Sequence, residues 1–183
     1  MRAVYYFTLI FLTFVASEAS SRDQITFEDW RAVSDKDLMT DAIHEMIMTP
    51  SEPPLYIRKS DLYVDVFLNL SCGYSVVQIG MPGYPFYFDG TICPDEDGEC
   101  YRYQKTLMRI DGRPAIEKAL LTDADSNANN LFIPGLDVET LNDASVIRFE
   151  IAGPGEYKIP EVISFSLEGF SEAYDWCQSR VIN

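Results

Sequence analysis

The chain has 183 residues, 47% hydrophobic and 13% aromatic, a composition that excludes a disordered chain and suits one globular domain. Lys and Arg number 14 against 29 Asp and Glu, and the resulting net charge of -15 argues against binding nucleic acid or anionic lipid, both of which it repels. A single histidine, His44, excludes any site built on two or more imidazoles, including the His-rich zinc hydrolase patterns.

Residues 1–19 read as a secretory signal peptide: Arg2 is the positive start, Ala3 to Val15 form a 13-residue apolar run, and Ser17 and Ala19 put small residues at -3 and -1 of a cut. The run falls short of the about 20 apolar residues that span a bilayer, and no later segment comes near that length. The expected product is periplasmic or secreted, with no stable membrane insertion after cleavage.

Residues 20–54 read as a helical N-terminal segment followed by a Pro-rich linker. Between Asp35 and Met48, the residues Leu38, Met39, Ala42, Ile43, Met46 and Ile47 fall on one half of a helical wheel, with Ser34 placed as N-cap. Thr49-Pro50-Ser51-Glu52-Pro53-Pro54 then breaks the helix, because proline lacks the backbone donor and restricts its predecessor.

Residues 55–183 read as a β-rich domain with a closing helix. Leu62, Val64, Val66 and Leu68 alternate with Tyr63, Asp65 and Phe67, and Ser75 to Met81 is a second strand-like run. Asp89-Gly90 and Asp111-Gly112 are hairpin dipeptides, since glycine accepts the positive φ of tight turns. A third hairpin turns at Gly153-Pro154-Gly155, between the alternating Ile147, Phe149, Ile151 and the run Tyr157, Ile159, Ile163, Phe165, Leu167, with Glu161 out of pattern. Phe170, Ala173, Tyr174 and Cys177 follow at i, i+3, i+4 and i+7, so a final helix turns Cys177 inward. The fold class expected is mainly antiparallel β, a β-sandwich or open barrel, with an N-terminal and a C-terminal helix.

Export makes the four cysteines candidates for two disulfides. Cys93 and Cys100 enclose the polar stretch Pro94-Asp95-Glu96-Asp97-Gly98-Glu99, which suits a bridge across a loop, and Cys72 is left to pair with Cys177.

From Leu107 to Cys177 the order of features resembles small exported bacterial proteins of the type VI secretion-associated periplasmic and invasion-associated locus B types. The resemblance rests on Met108-Arg109-Ile110-Asp111-Gly112-Arg113-Pro114, the triplet Leu131-Phe132-Ile133, a short helix over Asp137 to Asp143, the strand Ser145 to Ile151, and Ser166-Leu167-Glu168-Gly169-Phe170 leading to Cys177. It implies a non-catalytic envelope protein and supplies no catalytic residue.

No catalytic residue, metal site or cofactor is assigned. His44 has no nucleophile or partner motif and reads as a solvated side chain. Asp123-Ala124-Asp125-Ser126-Asn127-Ala128-Asn129 alternates oxygen ligands as a calcium loop does, but Ala128 stands where the turn needs glycine and Pro134 where a bidentate Glu is needed. The Asp95 to Glu99 loop likewise reads as a solubilising hairpin tip. Asn69-Leu70-Ser71 is a glycosylation sequon for a eukaryotic host, set within an alternating strand. The candidate binding residues are Tyr84, Phe86, Phe88, Tyr101 and Tyr103, whose alternation fits stacking on a ligand or cross-strand pairs in the core. Acidic residues group at Asp35, Asp37, Asp41 and Glu45, at Asp95, Glu96, Asp97 and Glu99, and at Glu168, Glu172 and Asp175. The expectation is a disulfide-stabilised exported protein with a binding or accessory role in the cell envelope, associated with a secretion system, and with a basic protein as partner. The alternative is an exported acidic inhibitor or immunity protein against a basic toxin or lysozyme-like enzyme.

Overall fold

Strand pairing begins well before Tyr56 in the structure, a computed structural model that describes residues 23–36, 42–57, 60–74, 76–93, 99–124, 128–153 and 160–181. Residues 1–19, the expected signal peptide, lie outside these residues. β1 (Asp23–Phe27) and β2 (Trp30–Lys36) form a hairpin, and β3 (Ile43–Glu52) pairs antiparallel with β2. β4 (Leu55–Ile57) and β5 (Leu62–Val64) make a separate ribbon. β6 (Phe67–Ser71), β7 (Val77–Gly80) and β8 (Gly90–Ile92) precede the two long strands β9 (Tyr101–Ile110) and β10 (Ile116–Asp123). The chain ends with β11 (Asn130–Phe132), α1 (Val138–Asn142), β12 (Val146–Ile151), β13 (Glu161–Ser166) and α2 (Phe170–Val181).

Eight of these strands close into an antiparallel barrel in the order β3-β6-β7-β11-β10-β9-β12-β13, returning to β3. The class is mainly antiparallel β as expected, but the barrel is closed, and neither a sandwich nor an open barrel forms. Closure depends on β3, which pairs with β6 along one edge and splits the other edge between β2, up to Met48, and β13, from Ser51. Pro50 sits at that exchange, where a residue without a backbone donor leaves no ladder bond unmade. On the β6 side the ladder continues, Ser51 N–H donating to the Val66 carbonyl at 2.7 Å.

The expected N-terminal helix is therefore corrected: Ile43 to Glu52 is a barrel strand, and Thr49 to Glu52 of the expected Pro-rich linker form its last four residues. Its inward residues are Ile47, Thr49 and Ser51, all buried, and two of the three are polar. The period of two is thus invisible to a hydrophobicity pattern, while Ile43, Met46 and Ile47 imitate a helical stripe. Bonding of both edges overrides that local signal. Residues 37–41, the start of the expected helix, lie outside the described ones.

The turn at Asp89-Gly90 is also corrected, because Gly90 opens β8 opposite Tyr103, and the connection between β8 and β9 is the Cys93 to Cys100 loop. Asp111-Gly112 does lie between β9 and β10, with Asp111 at φ 48°. The hairpin of β12 and β13 forms with Ile147 opposite Phe165 and Ile151 opposite Glu161, although 154–159, with Tyr157 and Ile159, lie outside the described residues. The strand expected from Leu62 to Leu68 is two, β5 and β6, separated at Asp65-Val66.

The antiparallel strands give the barrel two ends. Where β6 and β13 finish, α2 turns Phe170, Ala173 and Cys177 into the core, as the spacing predicts, and the Trp30 ring meets Phe170 edge-on at 4.8 Å. Gly169, at φ 84°, is required here. A Cβ would lie 2.2 Å from the Phe27 carbonyl oxygen, so only glycine lets the β1–β2 hairpin reach the start of α2. At the other end, residues 81–89 run without regular structure between β7 and β8 and carry Met81 and Phe86 into the same core.

Candidate functional site

An eight-stranded barrel is just wide enough to be filled by side chains. Leu68, Ile79, Leu131, Leu120, Phe149 and Phe165 point inward and are buried, with the rings of Phe149 and Phe165 at 6.2 Å. The polar members of the interior are bonded. Thr106 Oγ1 donates to the Glu150 carbonyl at 2.8 Å. Gln104, fully buried, donates through Nε2 to the carbonyls of Tyr87 (2.6 Å) and Ala152 (3.0 Å), and its Oε1 accepts from Ala152 N–H at 3.0 Å. One amide thereby substitutes for strand pairing where segment 81–89 crosses the barrel end.

The candidate aromatics separate into two groups. Phe86 is in the core, Tyr84 and Phe88 pack partly buried against it, and the Arg102 guanidinium stacks over Phe88 at 4.9 Å. These three lie on the irregular segment and do not form a row on a strand. Tyr101 and Tyr103 are half-buried on β9, Tyr103 lying over Gly90 of β8. The Tyr101 ring meets Phe132 edge-on at 5.9 Å, and its hydroxyl donates to Glu99 Oε2 at 3.0 Å.

Tyr101 leads to a feature the sequence did not single out. Ser71, Tyr74, Val76, Gln78, Tyr101 and Phe132 line a surface groove of about 430 Å³ on the barrel wall. Tyr74 is 70% exposed and Val76 43%. The signal available in the sequence was faint: Tyr74 and Val76 lie just before β7 and read as ordinary alternation. A second cleft, of about 420 Å³, forms where β3 changes partners and is polar, with Glu28, Asp29, Arg31 and Glu52 among its lining.

Both cysteine pairs are closed as expected: Cys72 with Cys177, 105 residues apart, and Cys93 with Cys100, seven apart. No free cysteine remains, which points to an oxidising, non-cytoplasmic compartment. Among the described residues no helix is long and apolar enough to cross a membrane, and no group of three His, Cys, Asp or Glu converges as metal ligands would.

The remaining expected residues are dispersed. His44 is exposed on β3 opposite Asp35 of β2, and Asp37 and Asp41 lie outside the described residues. Asp125 to Asn127 and Pro94 to Gly98, the centres of the two loops weighed for calcium, lie outside the described residues. Asn69 of the sequon is half-buried in β6 opposite Gln78. Asp37, Asp41, Asp95, Glu96 and Asp97 of the acidic groups lie outside the described residues. Glu45 approaches Arg180 of α2 at 3.7 Å at the helical end, whereas Glu99 precedes β9 at the other. Comparison with family models, with characterised proteins and with solved structures finds no match.

Proposed function

We propose that this is an exported, non-enzymatic binding protein of the cell envelope, periplasmic or secreted, that recognises a basic protein through the outside of its barrel. The observation that carries this reading is the filled interior. A barrel packed with its own side chains holds no ligand within, so recognition falls to a surface that bears a net charge of -15. The resemblance of Leu107 to Cys177 to secretion-associated envelope proteins points the same way, and so does the disulfide pairing.

The test is a pull-down from envelope extract with the disulfide-bonded chain at low and high salt, each captured protein being identified by mass spectrometry. A basic partner released as salt shortens the Debye length below about 10 Å is the expected result. Salt-independent capture of an acidic partner, or turnover of a cell-wall substrate by the purified protein, would overturn the reading. Loss of a captured enzyme's activity on binding would assign the inhibitor role within the same class.

A further inference from the structure

The groove on the barrel wall combines three properties. It is open, it is aromatic, and one of its lining residues, Tyr101, is hydrogen-bonded to a carboxylate, Glu99. Tyr74 and Val76, just before β7, are exposed, Phe132 is part of the lining, and the Tyr101 hydroxyl donates to Glu99 Oε2 at 3.0 Å. Glu99 belongs to the segment between the bridged Cys93 and Cys100, whose sequence Pro94-Asp95-Glu96-Asp97-Gly98-Glu99 holds four carboxylates and no cation. Ser71 and Gln78 add only neutral polar groups.

These properties select one kind of occupant. A purely aliphatic side chain would gain from the rings but would gain nothing from Glu99. A second copy of this chain would bring another -15 of charge to the contact. An arginine satisfies both halves, because its methylene stem covers apolar surface while its planar guanidinium stacks on rings and forks onto a carboxylate. We propose that this groove seats an arginine side chain presented by a loop of a basic partner protein, with the stem against Val76 and Phe132, the guanidinium between the Tyr74 and Tyr101 rings, and Glu99 as its counter-ion. The proposal rests on the binding function above and adds where the partner docks and through which residue.

The test uses the full mature chain with both disulfides and, as probe, the peptide acetyl-Gly-Arg-Gly-amide, followed by amide NMR shifts. The expected result is saturable shifts concentrated at Tyr74, Val76, Gln78, Tyr101 and Phe132. Affinity should fall at least fivefold when citrulline, equal in shape but uncharged, replaces the arginine, and again in Glu99→Gln. Tyr74→Ser, at an exposed position, should leave the remaining spectrum unchanged while removing the binding. Equal affinity for the citrulline peptide, shifts spread over the acidic surface without focus on the groove, or no shifts would each overturn the proposal. Salt-sensitive capture of a basic protein that Tyr74→Ser and Val76→Ser leave at full strength would sink the groove and keep the binding function. Specific arginine binding in the groove alongside a pull-down that yields no basic protein would sink the function instead.

Discussion

At the helical end of the barrel, α2 is joined to the end of β6 by Cys72–Cys177, buries Phe170 and Ala173, and receives the backbone of the β1–β2 hairpin through Gly169. At the opposite end an irregular segment is held by single hydrogen bonds. Met81 N–H donates to the Asn129 carbonyl, Phe86 N–H to Ala128 and Tyr87 N–H to Ala152, with Gln104 bridging beneath. The second disulfide lies at this end but only closes the β8–β9 connection. The covalent bridge at one end thus joins segments 105 residues apart, and the bridge at the other closes its own loop, leaving the irregular segment to hydrogen bonds. The difference identifies which end sets global stability and which is suited to local opening.

Removing the disulfides in turn should expose that difference most clearly. In the chain-entropy model a bridge spanning about 100 residues contributes about 4 to 5 kcal/mol, against about 2 to 3 kcal/mol for one spanning fewer than ten. Thermal melting should therefore show a larger loss for Cys72→Ala/Cys177→Ala than for Cys93→Ala/Cys100→Ala. The reverse order would mean that the helical end does not govern unfolding.

A pair of single substitutions sharpens the comparison. Gly169→Ala places a Cβ on the Phe27 carbonyl and forces a left-handed φ on an L-residue, for a loss of about 3 kcal/mol. Gln104→Leu leaves the Tyr87 and Ala152 backbone groups without their amide partner, at about 2 kcal/mol. The two should also differ in kind by hydrogen exchange. Gly169→Ala should lower protection across the barrel, and Gln104→Leu mainly at residues 81–89. Global loss of protection in Gln104→Leu would erase the distinction between the ends.

The helical end was the more legible in the sequence, and the reason is physical. Phe170, Ala173 and Cys177 announce themselves by spacing because a helix repeats its buried face locally. Both cysteine pairings followed from the short polar loop between Cys93 and Cys100, and the alternation in β12 survived because every inward residue there is apolar. The barrel closure was hidden, since it depends on β3 meeting β6 and β13, the latter more than 100 residues away, through inward Thr49 and Ser51. The other end was hidden as well. Phe86 enters the core from a segment without periodicity, and the groove arises only when Tyr74, Val76, Tyr101 and Phe132 come together from three stretches of chain.

The smallest expected effect concerns α1, a single turn between β11 and β12 at the helical end. Asp137 is its N-cap, with Oδ1 accepting from the Thr140 N–H at 2.6 Å. Bonds from the Thr140 side chain first, and then from its backbone N–H, hold the Asp137 carboxyl below its ordinary value. A carboxylate whose pKa is depressed by folding contributes stability that is fully present above its unfolded pKa, about 3.9, and is lost as pH falls through the lower folded value. Asp137→Ala should thus melt slightly earlier than the native chain at pH 6, and the gap should narrow as pH falls below about 4, where the carboxyl is protonated first in the unfolded chain and then, at lower pH, in the folded one. Melting both proteins at pH 6, 4 and 3 isolates this one group, since every other acid is common to the two. A gap that stays constant down to pH 3 would show that the neutral acid caps α1 as well as the ionised one, and that charge at this turn adds nothing to the stability of the helical end.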